Sequence, residues 1–308
     1  MEVFLEWVVT PQQAGMTAGH LACRQYRLSS TLYRRLKARG GLWLNGRPVP
    51  AYTPVAAGDR LQLALPADPP AAPQPLPLAV TFEDAHLLVV HKPAGMVMHP
   101  ARGHPAGTLV NAVVHHRLAR GEPPWVHPVH RLDKDVSGLV LIAKNPYVHE
   151  HLLRRRSFGR SYVAVVHGHV KPAGGVVDAP ILDPPAPGTA APGGGNPGLS
   201  GLQRASAARL ASPLGRPAIT RFRVVRRTYR LGHPVTVLLL RLRSGRTHQI
   251  RLHMALIGHP VWGDPVYGGD PAGQAGQGLL LHAARLWLAH PITGQRLVFR
   301  SRPGFLGA

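Results

Sequence analysis

The first 65 residues contain a short polar stretch with apolar positions at helical spacing. Leu32 and Leu36 lie four residues apart, which places both side chains on one face of a helix. The pattern predicts a helix over Thr31–Arg39. Ser29-Ser30 can cap its start, and Gly40-Gly41 lies just past its end.

A hairpin and a further strand are predicted directly after this helix. Leu42–Val49 carries apolar residues on either side of Asn45-Gly46, the dipeptide that favours a two-residue hairpin turn. Gly58-Asp59 then precedes a predicted strand over Arg60–Leu65. We therefore expect a small first module at residues 1–65.

The remaining chain predicts a larger α+β domain with a mainly antiparallel, mixed sheet. A Pro-rich linker at 66–77 separates it from the first module, and the domain extends over 78–308. A Gly/Pro-rich insertion at about 184–212 interrupts it and is expected to be mobile. The predicted strands are Leu87–His91, Leu139–Ala143, Tyr162–Val166, Val235–Arg243 and Gly278–Leu281.

Charge changes this picture, because the chain has 36 Lys and Arg but only 14 Asp and Glu, a formal net charge of +22. A protein this basic usually binds a polyanion, most simply a phosphate backbone. The predicted helix carries Arg34, Arg35 and Lys37, which would contact RNA phosphates without reading sequence. The alternative for such a run is a solvated basic face.

The single cysteine, Cys23, excludes an intrachain disulfide and a cysteine-based zinc site. It is the cysteine usage expected in a reducing cytoplasm. The first residues lack the basic and apolar regions of a signal peptide, and no apolar run is long enough to span a bilayer. We expect a cytoplasmic monomer with no membrane contact.

A nine-residue loop, His130–Gly138, carries the most informative chemistry. Asp133 is flanked by Arg131 and Lys134, and a strand-like run follows. Cationic neighbours keep a carboxylate ionised, as a nucleophile requires. Three other segments accompany this loop in order, namely Lys92-Pro93-Ala94-Gly95, Arg160-Ser161-Tyr162 and Gly245-Arg246-Thr247-His248-Gln249-Ile250-Arg251.

Taken in order, these four segments resemble the RluA-type pseudouridine synthases, isomerases that convert uridine in RNA to pseudouridine. The helix and hairpin of residues 1–65 resemble the alpha-L RNA-binding module of many RNA-modifying enzymes. Within the His-Arg-Leu-Asp motif the chain departs at Val136, where the family usually has Thr. Valine keeps the β-branched shape and loses only a hydroxyl group.

The resemblance implies a role for each catalytic residue. Asp133 would be the nucleophile, and attack at C6 of the base and at C1′ of the sugar both stay open. Tyr162 would stack on the flipped base and handle the proton at C5. Arg251 would pair with Asp133, because a carboxylate buried under a base needs a counterion.

The resemblance also implies RNA contacts. Arg131 would fill the space that the extruded uridine leaves, which offsets part of the cost of flipping. Lys92 and Arg160 would border the cleft, and Arg246 would serve loop structure or a phosphate. Thr247 would cap a short helix that ends before Gly258, with backbone N–H groups directed at an anion.

Three alternatives compete with this interpretation. The 19 histidines suggest a metal hydrolase, but they lack a His-Glu-x-x-His or comparable spacing. A non-catalytic RNA-binding or ribosome-assembly factor would keep the charge but would be expected to lose Asp133, Tyr162 or Arg251. A transfer-RNA enzyme is open as well. We expect large-subunit ribosomal RNA as the substrate, with no metal or other cofactor.

Overall fold

The computed structural model describes residues 1–67, 69–101, 103–182, 214–268 and 278–307. The fold is α+β with a mostly antiparallel sheet, as the sequence predicted. The predicted insertion at about 184–212 lies outside the described residues. The chain forms two compact units. The first comprises Met1–Val89, His99–Val129 and Leu141–Ser157, and the second comprises Val90–Met98, His130–Val140 and Phe158–Ala308.

The predicted module at residues 1–65 lies within the first unit. Its elements are β1 (Glu2–Val8), α1 (Ala18–Tyr26), α2 (Ser30–Ala38), β2 (Leu42–Leu44), β3 (Arg47–Pro48) and β4 (Arg60–Leu65). The four strands pair in the order β1-β4-β2-β3, with every pair antiparallel. The predicted helix, hairpin and strand are confirmed within one or two residues. Strand β1 and helix α1 were not predicted.

Local chemistry explains the confirmed elements. The Ser29 hydroxyl accepts a hydrogen bond from the Leu32 N–H at 2.9 Å, which satisfies one of the free donors at the start of α2. Leu32 and Leu36 are fully buried. Asn45 and Gly46 have φ angles of 50° and 79°, so both turn residues adopt the left-handed backbone that this hairpin needs.

The next elements in chain order are β5 (Ala79–Glu83), β6 (Leu87–Lys92), α3 (Leu109–Leu118), β7 (His127–Pro128), β8 (Ser137–Ala143) and α4 (Pro146–Arg155). They belong to the first unit, except that residues 90–92 of β6 and residues 137–140 of β8 belong to the second. The described residues of the predicted linker form no helix or strand, but they are attached to α3. The Asn111 side chain donates to the Ala72 carbonyl at 2.8 Å, and the Gln74 N–H donates to the Asn111 carbonyl at 3.1 Å.

The second unit contains a broad antiparallel sheet. Its elements are β9 (Phe158–His167), β10 (Gly174–Asp178), β11 (Ile219–Arg230), β12 (His233–Leu242), α5 (Gln249–Leu256), β13 (Leu281–Ala289) and β14 (Arg296–Arg300). The strand order is β10-β11-β12-β9-β13, and β14 pairs with β13. Ser137 and Gly138 at the start of β8 pair with β13 in parallel, which makes the sheet mixed.

The predicted strand over Gly278–Leu281 is wrong, because β13 begins only at Leu281. Gly278 has a φ of 67°, outside the extended region that a strand requires. Along β9 the alternation of faces is regular. Tyr162 is paired with Leu240 and both are buried, whereas Ser161 is paired with Arg241 on the opposite face.

Candidate active site

The Asp133 loop is anchored by its apolar residues. Leu132 and Val136 are buried, and the Val136 N–H donates to the Asp133 carbonyl at 3.2 Å to close a turn. The Asp133 side chain keeps 19% of its surface exposed. The loop therefore holds a carboxylate in a fixed place and leaves it accessible. Val136 occupies a buried position in this loop.

Lys92 binds this loop through a backbone carbonyl group. Its side chain is fully buried, and its ammonium donates to the carbonyl groups of Pro93, Met96 and Lys134 at 2.8 to 2.9 Å. Burial lowers the pKa of Lys92 to about 8, although Asp135 and Asp133 act against this shift. The expectation that Lys92 contacts RNA is corrected, because its three N–H groups are already occupied.

Arg251 lies between two carboxylates. Its Nε and Nη2 donate to Asp264 at 2.8 and 2.7 Å, and its Nη1 lies 4.0 Å from Asp133 Oδ2. Asp264 is fully buried and Arg251 nearly so. Burial opposes the charge of Arg251, yet the hydrogen bonds to Asp264 raise its pKa above the ordinary value. Arg251 thus lies near Asp133, but its close partner is Asp264.

His248 and Tyr267 complete this group. His248 Nε2 lies 3.9 Å from Asp133 Oδ2, and its Nδ1 lies 3.0 Å from the Tyr267 hydroxyl. Burial lowers the pKa of His248 and raises the pKa of Tyr267 to about 12. A neutral phenol can donate to Nδ1, and the ring proton then lies on Nε2, facing the carboxylate. The Tyr267 ring also covers Arg251 at 5.2 Å.

The start of α5 differs from the prediction that Thr247 caps it. The N-cap residue is His248, which has a left-handed backbone with φ of 54° and makes no capping bond. The Gln249 side chain instead orders the loop before the helix, because its Oε1 accepts from the Ser244 hydroxyl and the Arg246 N–H, both at 3.0 Å. Its amide donates to the Ile219 carbonyl at 3.1 Å, which attaches the loop to β11.

Tyr162 is buried on β9, and its electrostatic neighbours include Asp133 and Arg160. Burial raises the pKa of Tyr162, and Arg160 opposes this shift. Arg160 is half-buried, and its guanidinium lies 5.5 Å from the centre of the Phe158 ring. Phe158, Arg160 and Tyr162 alternate with Gly159 and Ser161, so the three lie on one face of the strand.

The other predicted RNA contacts differ in exposure. Arg131 is exposed beside Asp133. Arg246 is half-buried, and its Nε has no hydrogen-bond partner among the described residues. A buried donor without a partner is costly and is consistent with a bound phosphate. The remaining three cations, Arg34, Arg35 and Lys37, are exposed on α2 of the first unit.

The second unit therefore gathers Asp133, Tyr162, Arg251 and Arg160 in one electrostatic neighbourhood. Asp264 and Tyr267 were not among the residues predicted from the sequence to serve the site. One signal was available. Beyond residue 150 the sequence has no Glu and only four Asp, among many Arg and Lys residues. Each of these four carboxylates, Asp264 included, is therefore a candidate ion-pair partner for an arginine.

The described residues contain neither a cluster of metal ligands nor a membrane-spanning helix. No three His, Cys, Asp or Glu side chains there lie close enough together to hold a metal ion. None of the helices in that part of the chain is long and apolar enough to cross a membrane. The site contains an accessible carboxylate beside a fixed guanidinium, a buried phenol and an exposed arginine, Arg131. That combination suits nucleophilic chemistry on a polyanion.

Comparison with known sequences finds close relatives. The family model described as RNA pseudouridylate synthase matches residues 86–256. The "Ribosomal large subunit pseudouridine synthase D" of Escherichia coli (strain K12) is 39% identical over 237 residues, covering 72% of this chain and 66% of that protein. The chain thus spans just under two thirds of the length of this relative.

A second relative matches over most of both chains. The "Uncharacterized RNA pseudouridine synthase YlyB" of Bacillus subtilis (strain 168) is 36% identical over 294 residues, which is 91% of this chain and 88% of that protein. Because it covers 91% of this chain, the match cannot be confined to residues 78–308.

Solved structures support the fold. "Human RNA Pseudouridylate Synthase Domain Containing 1" superposes with a TM-score of 0.54 at 21% identity, over 73% of this chain and 83% of that one. "Human RNA Pseudouridylate Synthase Domain Containing 4" gives the same TM-score at 22% identity, over 74% and 89%. As the resemblance to the RluA-type enzymes predicted, the chain belongs to the RNA pseudouridylate synthase family.

Proposed function

We propose that this protein isomerises specific uridines in RNA to pseudouridine, with Asp133 as the nucleophile. The observation that carries the proposal is the placement of Asp133, an accessible carboxylate 4.0 Å from an arginine that a second, buried aspartate holds in position. Family membership supports the reaction, and the geometry supports the choice of residue.

In this reaction the bond from N1 of the base to the sugar breaks, and a bond from C5 to the sugar forms. The proton on C5 leaves, and N1 gains a proton. Arg251 would stabilise the carboxylate of Asp133 under the base, where burial would otherwise favour its protonated form. Tyr162 would stack on the flipped base and handle the C5 proton. Arg131, which is exposed, would fill the gap in the RNA.

We propose large-subunit ribosomal RNA as the substrate, because relatives at 39 to 40% identity are named for the ribosomal large subunit. The exposed cations of α2 support a docking role for the module at 1–65. In this proposal the linker at 66–77 joins that module to a catalytic domain at 78–308. The enzyme would act as a monomer in the cytoplasm, where Cys23 stays reduced.

The test is tritium release from RNA labelled at C5 of uridine, with large-subunit ribosomal RNA and transfer RNA transcripts in parallel. The variant is Asp133→Asn, and the matched control is Asp135→Asn, two residues later in the same loop. We expect release from ribosomal RNA by the wild type and by Asp135→Asn. Asp133→Asn should release no tritium yet bind the RNA nearly as tightly.

Other outcomes would redirect the proposal. Appreciable release by Asp133→Asn would exclude this residue as the nucleophile. Release only from transfer RNA would change the substrate class. If the wild type binds both RNAs but releases no tritium from either, or from partly assembled large subunits, the non-catalytic binding protein becomes the better interpretation.

A further inference from the structure

A line of arginines crosses the sheet of the second unit from strand to strand. Arg221 on β11 is paired directly with Arg241 on β12, and Arg241 is paired with Ser161 on β9. Ser161 is paired with Arg285 on β13, which is paired in turn with Arg300 on β14. We call Arg221, Arg241, Arg285 and Arg300 the arginine row.

The arginine row lies on the face of the sheet opposite Tyr162. Residues directly across from each other on neighbouring strands share a face, so Ser161 and the four arginines are on one side. Successive residues of a strand alternate between faces, which places Tyr162 on the other side. The row is therefore separate from the candidate active site.

The row is electrostatically unfavourable in the free protein. Like charges directly opposite each other destabilise a sheet. The five strands that carry Ser161 and the row contain no acidic residue. Among the described residues, no carboxylate lies within 4.0 Å of the row. An arrangement of this cost is explained if an anion neutralises it.

A cavity of about 460 Å³ opens beside the row. Its floor includes Ser161, Val163 and Leu239, and its charged wall consists of Arg241, Arg285, Arg300 and Arg302. The Nε of Arg285 is buried and has no hydrogen-bond partner among the described residues. A buried cationic donor without an acceptor is expensive, so the charge of Arg285 is poorly compensated in the free protein.

Trp287 adds an aromatic surface to this site. The guanidinium groups of Arg241 and Arg285 lie 5.4 and 5.6 Å from its ring centre. The ring lies against Gly159, where a Cβ atom would come within 2.2 Å of the indole, so glycine is needed for the ring to lie flat on the sheet. Arginines interleaved with an aromatic ring are typical of surfaces that bind nucleic acid backbones and unpaired bases.

We propose that the arginine row, with Arg302 and Trp287, binds phosphates of an RNA segment distinct from the one that carries the target uridine. This inference rests on the proposed function, because it takes RNA as the substrate. Neighbouring strands are about 4.8 Å apart, so the row extends over roughly 19 Å. That length spans several successive phosphates and exceeds what a single phosphate ion would occupy.

The test compares Arg241→Gln/Arg285→Gln with a control that removes the same charge outside the row, Lys171→Gln/Arg226→Gln. Both control residues are exposed. Binding is measured against salt for two RNAs, a long large-subunit fragment and a minimal stem-loop around the target uridine. For the long RNA, we expect the row variant to bind at least about 10-fold more weakly and its salt slope to fall by about two.

The minimal stem-loop separates the row from the active site. With this RNA, the row variant should match the wild type in binding and in tritium release within about twofold. Equal losses on both RNAs, or unchanged binding of the long RNA, would overturn the inference. Binding of inorganic phosphate alone, with no effect on long-RNA affinity, would also overturn it. If no RNA is isomerised by the wild type, the proposed function fails while the binding comparison still decides this inference.

Folding is checked by thermal unfolding without RNA at low salt. Because repulsion is removed, the row variant should unfold at the same temperature as the wild type or higher. If Arg241→Gln/Arg285→Gln fails to fold, Arg221→Gln/Arg300→Gln replaces it, since both of these side chains are exposed. The inference then requires that Arg221→Gln/Arg300→Gln bind the long RNA more weakly than the wild type and bind the minimal stem-loop equally well.

Discussion

Asp264 holds Arg251 through two hydrogen bonds of 2.8 and 2.7 Å, and this pair lies fully inside the second unit. The same Asp264 carboxylate accepts from the N–H groups of Val266 and Tyr267 at 2.9 and 3.1 Å. Asp264 therefore fixes the position of Arg251 through Nε and Nη2, and the remaining nitrogen, Nη1, faces Asp133. Asp264 acts on the nucleophile only through Arg251, which makes it a positioning residue.

We expect Asp264→Asn to reduce both stability and turnover. Removing one partner of a buried ion pair costs about 3 kcal/mol, because the other charge is left without compensation. Turnover should fall about 100-fold, as a small displacement of a catalytic group can cost that much. RNA affinity should change little. Chemical denaturation, tritium release and RNA binding measure the three effects.

The matched control is Asp178→Asn, an exposed aspartate of the same unit. It should leave the free energy of unfolding nearly unchanged and turnover within about twofold of the wild type. If Asp264→Asn lost stability but kept full turnover at a temperature where it is folded, the pair would be structural, and Arg251 would not need Asp264 to serve the nucleophile.

The lowered pKa of Lys92 should make the protein more stable at alkaline pH. Its pKa is about 8 in the folded protein, against an ordinary value of 10.5. Between pH 8 and 10.5 the Lys92 side chain is protonated in the unfolded chain but largely neutral in the folded protein. The free energy of unfolding therefore rises as the pH increases through this range. The stability of the wild type relative to Lys92→Met should increase by up to about 3 kcal/mol between pH 8 and 10.5. Denaturant unfolding across this range measures it.

Lys134→Met controls for this experiment, because the Lys134 side chain is exposed in the same loop. Its stability relative to the wild type should stay constant over the same pH range. A constant difference for Lys92→Met as well would mean that Lys92 keeps an ordinary affinity for its proton.

If Tyr162 accepts the C5 proton, turnover should rise with pH. A phenol accepts the C5 proton only after losing its own, and burial raises the pKa of Tyr162. Single-turnover rates should therefore increase from neutral to alkaline pH. Tyr162→Phe keeps the stacking ring, so it should bind RNA normally but lose about 100-fold or more in rate, together with the pH dependence. Tyr162→Leu should lose affinity as well. Full activity in Tyr162→Phe would restrict Tyr162 to stacking.

The cations of α2 predict a salt-dependent docking step. Neutralising Arg34, Arg35 and Lys37 together with Gln should lower the slope of log affinity against log salt by up to about three. The maximal rate at saturating RNA should stay unchanged. Exchanging the same residues between Arg and Lys keeps the charge and should leave the slope as in the wild type. An unchanged slope in the Gln variant would mean that α2 is a solvated face.

The sequence by itself determined the elements whose cause is local. The Ser29 cap, the Leu32 and Leu36 spacing and the Asn45-Gly46 turn act within a few residues, so α2 and its hairpin were predictable. The His-Arg-Leu-Asp and Gly-Arg-Thr-His-Gln-Ile-Arg motifs together determined the family. Strand β1 was not predicted, because its pairing with β4 depends on residues more than 50 positions away.

Tertiary structure alone decided what these side chains do to each other. Lys92 reads as a surface cation in sequence, yet folding buries it and directs its ammonium at three carbonyl groups. Arg251 and Asp264 are 13 residues apart and meet only after α5 and the following loop pack together. The arginine row exists only through strand register, since a shift of one residue would move each arginine to the other face.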